Sequence, residues 1–483
     1  MKITVIPLDS RPCNTIWMED LAKSSGYEIS MYPRHLCGNL LVGADFQTML
    51  NWLNKEAVDS DYLIISADGL CSGGLVQARL GKIDVIAVTK ALEVFKEYKQ
   101  TNPHLKIYVF DTIMRTTITT LSKETDKYWG KMNEYSRLLG RIHFFKDTEE
   151  QKQLNELIQE IPADIIATYT KARSVKHELN KFFLDLVSKN IIDYLILLQE
   201  DSMPYGVQKI EQEILQSMID HKHLASKVQF YNGTDEGGLV LLGKILFEIK
   251  KKTPSLFIHL PHPQILDKVM LFEDQLFSSN LHHMLETMGF LVTNQVEDCD
   301  FILSIYAETR NVNLDTNSTI PIVPTKDHQY YRYLDELNHL LKTNKPVAFV
   351  DLLFPNGGSW DILQDVDFQK LQVYSAWNTA SNALGSALCE IAAKIINPNH
   401  HSLKFRNERL LDDCLYQYIV RRIVNEKYIK QGYNVYNLQE KSDEVLSDVE
   451  KLMHQNDNWL GISKYQVCLP WKRTFEIEIK IEE

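Results

Sequence analysis

Two pairs of adjacent carboxylates are the most pointed chemical signal in the chain. Glu200-Asp201 follows the apolar run Tyr194 to Leu198 and precedes Ser202, Pro204, Tyr205 and Gly206. Asp235-Glu236 follows Val228 to Tyr231 and precedes Gly237-Gly238. Two acids held in one partly buried place repel each other, so one takes up a proton while its partner stays charged. General acid and base catalysis needs that division. Each pair alone reads equally well as a helix N-cap, with Asp capping and Glu in the first turn, worth about 1 kcal/mol. Asp9, Asp68, Asp111 and Asp351 also close apolar runs. Together these acids make an acidic catalytic cleft the better joint explanation.

Other clusters fit a polar substrate. Asp9-Ser10-Arg11-Pro12 and Asp111-Thr-Ile-Met-Arg115 each place an acid and an arginine at a strand end, where charge-assisted bonds can hold a ligand. A local ion pair or helix cap is the plainer alternative. Ser66 to Arg79 contains Asp68 and the glycines Gly73-Gly74, which allow close backbone approach or simply a tight turn. The spacing matches neither a P-loop nor a dinucleotide fingerprint. Arg173, His177 and Asn180 share a helix face, which spacing alone assigns to solvent more readily than to substrate. Trp377-Asn378-Thr379 offers a stacking ring and hydroxyl partners, or else a core tryptophan and a helix cap. His259-Leu-Pro-His262 reads as polar lining rather than a metal site.

The elements that must position these residues repeat one pattern. Ile3 to Leu8, Tyr62 to Ser66, Ile107 to Phe110, Ile165 to Thr168, Tyr194 to Leu198 and Val228 to Tyr231 read as strands buried on both faces, as in parallel sheets. Helical stretches such as Ala87 to Lys99 and Ser174 to Lys189 supply crossovers. Leu256 to Leu260, Phe301 to Tyr306, Val347 to Val350 and Leu371 to Tyr374 continue the series, and Asn311 to Pro324 reads as a loop. Helices over Asn407 to Tyr428 and Ser442 to His454 precede a final strand, Thr474 to Ile481. The expected class is α/β: either a (β/α)8-like barrel or two facing doubly wound sheets, with a mostly helical C-terminal elaboration. Expected boundaries are 1–250 for a parallel, barrel-like domain, 251–396 for a second α/β region on the same cleft, and 397–483 for the helical region. Both architectures put active residues at the carboxyl ends of parallel strands.

The chain has 483 residues, 52 Lys and Arg against 64 Asp and Glu, and a net charge of -12. That balance argues against general nucleic-acid binding, which needs basic surface. No apolar run reaches the roughly 18–20 residues of a bilayer span, and the N-terminus does not read as a signal peptide. Seven cysteines without C-x-x-C spacing point to reduced thiols and a cytoplasmic setting.

Asp9 to Pro12, Asp111 with Arg115, Glu200-Asp201 with Pro204 to Gly206, Asp235-Glu236, Trp377 to Thr379 with Asn382 and Gly385, and Pro470 to Glu476 together resemble DUF4127, an uncharacterised bacterial family. The resemblance spans nearly the whole chain and makes its C-terminal segment part of the same unit. The family more often carries two aspartates at the first acid pair, so Glu200 is a departure. The resemblance implies no particular chemistry.

From the residues, the expected activity is hydrolysis of a small sugar or glycoside, with an N-acetylhexosamine-type substrate as one candidate. Glu200, Asp201, Asp235 and Glu236 would be the catalytic groups. Asp9, Arg11, Asp68, Asp111, Arg115, Arg173, Tyr205, Trp377, Asn378 and Thr379 would bind substrate, without cofactor or metal. The alternatives are a Mg²⁺- or Mn²⁺-dependent hydrolase or phosphoester-processing enzyme, with Asp9, Asp68, Asp111 and Glu200 as a cage, and a non-catalytic binder of a small polar ligand. Neither nucleic acid nor membrane is an expected partner, and a homo-oligomer is left open.

Overall fold

The computed structural model of the chain describes residues 1–119, 123–312 and 323–482. They divide into two compact units. The first comprises Met1–Ser10, Glu28–Leu241 and Phe272–Gln275; the second comprises Arg11–Tyr27, Leu242–Leu271 and Leu276–Glu483.

The first unit is built on six parallel strands: β1 (Ile3–Ile6), β2 (Ile29–Met31), β3 (Tyr62–Ser66), β4 (Lys106–Ile113), β5 (Tyr194–Gln199) and β6 (Val228–Asn232). Their spatial order is β2-β1-β3-β4-β5-β6. The chain changes winding direction between β1 and β3, the switch point where doubly wound sheets open a crevice. The central strands β1, β3 and β5 are buried along most of their length, as parallel strands covered on both faces are. Leu179, Phe183 and Val187 of helix Ala163–Ser188 pack in one core with Ile107, Val109, Leu195 and Leu197. Each such side chain contributes roughly 1.5–3 kcal/mol on burial.

The second unit carries five parallel strands: β7 (Ser255–His259), β8 (Leu291–Thr293), β9 (Phe301–Tyr306), β10 (Val347–Asp351) and β11 (Val373–Ser375). Their order is β11-β10-β9-β7-β8. Counted within the unit, this is the same second-first-third-fourth-fifth winding as in the first sheet. Helices dominate from Lys404 onward, including a π-helical stretch, Leu410–Val420, and the antiparallel pair β12 (Tyr465–Cys468) and β13 (Glu478–Ile481) closes the unit.

The α/β expectation holds, with two separate parallel sheets of six and five strands; the eight-stranded barrel is not what these strands make. Ile165 to Thr168 is not a strand but lies in helix Ala163–Ser188. Four apolar residues do not distinguish a buried strand from a helix turn, and here a 26-residue helix claims them. The short strands β2, β8 and β12 had no apolar run to announce them. The last strand begins at Glu478 rather than Thr474. Most of the Asn311–Pro324 loop falls outside the described residues. Among the described residues no helix is long and apolar enough to cross a membrane.

Candidate functional site

The carboxyl ends of β3, β4 and β5 carry a buried network of charged side chains in the first unit. Asp68 lies in the short helix Ala67–Ser72 that directly follows β3, and Ser66 caps that helix through the Gly69 amide at 3.0 Å. A Cβ on Gly69 would run into the Pro7 carbonyl oxygen, so a glycine is what lets this turn close against the end of β1. Asp111 is in β4 itself. Both carboxylates accept hydrogen bonds from the Lys176 ammonium, which reaches them from helix Ala163–Ser188. Asn180, one turn further along, donates to Asp111 Oδ2 at 2.6 Å and to the Thr112 carbonyl at 2.9 Å. All four side chains are buried. Burial works against the Lys176 ammonium, but Asp111 and Asp68 outweigh it and hold the charge above the ordinary lysine value. Burial pushes the Asp111 carboxyl up, with Lys176 opposing.

The network continues to the first acid pair. Arg79 contacts Glu200 Oε2 through Nε at 2.8 Å and Nη2 at 2.6 Å. The Thr112 hydroxyl donates to Asp68 at 2.6 Å and lies 3.2 Å from Glu200 Oε1, joining the two clusters. Burial pushes the Glu200 carboxyl up even against Arg79. Its neighbour Asp201 is different: its side chain is 36% exposed and pairs with Arg115 Nη2 at 2.6 Å. Arg173 stands behind Arg115. It grips Glu211 at 2.8 and 2.5 Å and donates to the carbonyl oxygens of Arg115 and Met114 at 2.7 and 3.2 Å.

The second acid pair sits one strand over, since Gln199 of β5 is in register with Asn232 of β6. Glu236 is buried, and its Oε2 accepts from the Thr234 amide at 2.9 Å while Oε1 has no hydrogen-bond partner among the described residues. Burial pushes it up to about 8, with the neighbouring Asp235 and Glu273 adding to the rise. Glu236 folds back onto the turn ahead of helix Gly237–Lys250, and the amide it binds, that of Thr234, lies outside that helix. Asp235 is buried as well. Beside it, the Asp274 carboxylate collects amide hydrogens from Gln208, Gln212 and Asn232 at 3.0, 2.8 and 3.2 Å.

The first unit therefore brings together Asp68, Asp111, Arg115, Arg173, Glu200 and Asp201, with Asp235 and Glu236 in the turn that follows the adjoining strand β6. Asp9 is buried at the end of β1 in the same unit. Tyr205 is 42% exposed and packs edge-on against Phe145, with Arg141 over its ring. Arg11, Trp377, Asn378 and Thr379 belong to the second unit. Arg11 lies 5.1 Å from the Trp471 ring centroid. Trp377 is no stacking platform: it is 3% exposed, with Trp17 and Phe475 edge-on at 5.6 and 6.1 Å. Asn378 holds a left-handed φ of 69°, and its carbonyl accepts from the Asn356 amide at 2.8 Å. Thr379 precedes helix Ala380–Ile396 without capping it through its side chain, and accepts instead from Asn382 at 3.2 Å.

Three corrections to the sequence reading follow. The face bearing Arg173, His177 and Asn180 is buried rather than solvated. Asp68, Asp111, Glu200 and Asp201 are interleaved with Lys176, Arg79 and Arg115 rather than forming a bare acidic cleft. The residue missed outright is Lys176. It stands at i+3 from Arg173 and i−4 from Asn180, a same-face spacing that was legible. The point on which Asp68 and Asp111 converge is taken by the Lys176 ammonium, and Arg79 takes Glu200, so these carboxylates already have a cation of the protein's own. Among the described residues no group of three or more His, Cys, Asp or Glu is arranged to hold an ion. His259, the candidate polar liner, bonds Ser304 at 2.9 Å and Glu336 at 3.1 Å and stacks on Tyr333.

No curated protein matches the chain. Among solved structures, a cobalamin-dependent S-adenosylmethionine radical enzyme, OxsB, is similar in two forms, one with aqua-cobalamin and S-adenosylmethionine bound and one with aqua-cobalamin. Each aligns at 11% identity and a TM-score of 0.15 over 90% of this chain and 62% of that one. The chain thus spans less than two thirds of that enzyme, and a likeness this slight carries no argument about fold or chemistry. A family profile described as protein of unknown function matches residues 3–480, essentially the whole chain including Pro470 to Glu476, so the chain belongs to the DUF4127 family.

Proposed function

We propose that the protein is a hydrolase acting on a small sugar or glycoside at the strand ends of the first unit. One observation carries the reading: carboxyls just beyond the ends of the neighbouring strands β5 and β6 sit in opposed environments. Asp201 is partly exposed and ion-paired with Arg115. Glu236 is buried, raised to about 8 and left with one unpartnered oxygen. Carboxyls held in such different surroundings, one salt-bridged at the surface and one buried, are candidates for the two roles of acid and base. In this reading Glu236 keeps its proton at neutral pH and donates it to the leaving oxygen. Asp201 takes the complementary role, as base or nucleophile. Glu200, locked on Arg79, fixes the backbone that presents Asp201. Seven free cysteines, five of them buried, support a reducing, cytoplasmic setting.

The test is turnover of a panel of aryl glycosides, N-acetylglucosaminides included, by the intact protein and by D201N and E236Q. Each variant keeps shape and loses one protonation role. Losses of about 10²-fold or more in kcat are expected. Full activity in both would remove the assignment. Turnover abolished by chelation would move the reading to a metal-dependent hydrolase, and ligand binding without turnover to a binding protein.

A further inference from the structure

The carboxyl ends of the second sheet carry a groove that the proposed hydrolytic chemistry does not use. The stretches that follow β7, β9, β10 and β11 form its walls, with Lys268, Val312, Leu353 and Asn378 as one residue from each. In open parallel sheets this is the edge where ligands bind. The enclosed part is about 20 Å³, and the free space with the solvent-open mouth included is about 340 Å³. One water needs roughly 10–15 Å³ of enclosed volume, so the closed part seats a small head group and the mouth takes the rest of a ligand.

The lining is apolar around a single charge. Met270, Leu353 and Phe354 are buried, and Leu271 and Val312 are half-buried. Among the described residues that line the groove, Lys268 alone is charged. The protein supplies this lysine with no counter-charge. Its ammonium donates to the carbonyl oxygens of Glu308 and Arg310, both at 2.8 Å, and pairs with no carboxylate among the described residues. The Glu308 side chain is turned instead to Arg310 and to the Thr325 amide, each at 2.6 Å. An ammonium has three N–H donors, so one is left over. Burial pushes Lys268 down to about 8, even with Glu308 acting against the drop. The groove also meets the start of helix Ala380–Ile396, which has no acid in its first turn and no side-chain cap from Thr379. The partial positive charge there favours an anion as well.

A carboxylate meets the lysine one charge for one, and an apolar body covers the walls. A phosphate dianion would stay half-neutralised in apolar surroundings, and a neutral apolar molecule would leave the lysine as it is. We propose that this groove binds a small monocarboxylate with a short apolar body, its carboxylate on Lys268 and its apolar part against Met270, Leu353 and Phe354. The site lies within the second unit and does not rest on the hydrolase reading.

The experiment is calorimetric titration of the full chain with isovalerate, isovaleramide, acetate and inorganic phosphate. Isovalerate should bind about tenfold or more tightly than each of the other three. The amide keeps the body and removes the charge, and acetate keeps the charge and removes the body, so both requirements are read on the unaltered protein. Lys268→Met should abolish isovalerate binding. The proposal is wrong if isovalerate does not bind at millimolar concentration, if the amide or acetate matches it, if phosphate binds more tightly, or if Lys268→Met binds it as the parent does.

Discussion

The two sheets have the same winding yet treat the acids at their strand ends in opposite ways. In the first sheet, Asp68 and Asp111 are satisfied by side chains that arrive from a distant helix, chiefly Lys176 and Asn180. In the second, Asp351 closes β10, equally buried, and takes its hydrogen bonds from the backbone amides of Leu353 at 3.0 Å and Ser359 at 2.6 Å. A carboxylate fed by local amides is a device for shaping a turn. Carboxylates gathered around a long-range ammonium form a network that strand ends from three places must build jointly. Strand order alone does not choose between these outcomes, which is why a shared fold does not carry a shared function.

Removing the ammonium should give the largest effect. Lys176→Met leaves Asp68 and Asp111 buried without their counter-charge, and a loss of about 3–5 kcal/mol is expected in urea unfolding. A loss below about 1 kcal/mol would mean that the network is not a buried one. Trp377→Ala in the second unit should cost a comparable amount, about 3–5 kcal/mol, because it opens a cavity between Trp17 and Phe475. A mild effect on stability joined to lost sugar binding would restore the stacking role that its burial denies.

The amide-fed acid should show itself as a pH dependence. Burial raises Asp351 from the usual 3.8 to about 6. Between those values the folded protein holds a proton that the unfolded chain releases. Its contribution to stability is therefore full below 3.8 and is lost as pH rises to about 6, a decline of about 3 kcal/mol at most. Asp351→Asn should flatten that stretch of the stability curve. An unchanged slope would show that another group is responsible. The smallest effect on stability belongs to Asp201→Asn, since its ion pair with Arg115 is partly exposed. Within about 1 kcal/mol of the parent is expected by thermal unfolding. A variant that is stable yet inactive would separate the role of Asp201 from that of Lys176.

Much of the frame was legible because buried parallel strands write themselves as uninterrupted apolar runs. The rims of β3 to β6 could be located by the acids that end those runs. What was not legible came from ambiguity at short range and from distance along the chain. Ile165 to Thr168 has the composition of a strand but the neighbours of a helix. Lys176 is 108 residues from Asp68 and 65 from Asp111, and nothing local marks it as their partner. Trp377 has the same local sequence whether it stacks on a ligand or packs against Trp17.

The sequence by itself determined the α/β class, the carboxyl-end placement of the acids and membership of one family across the whole chain, because these follow from periodicity and from residue types at fixed spacing. Only the tertiary structure decided the chemical state of those acids. Whether a strand-end carboxylate meets an ammonium, a guanidinium, a backbone amide or nothing depends on which helix is laid over it. That choice sets its charge, and so separates the satisfied Asp111 and Asp351 from Glu236, whose remaining oxygen has no partner among the described residues.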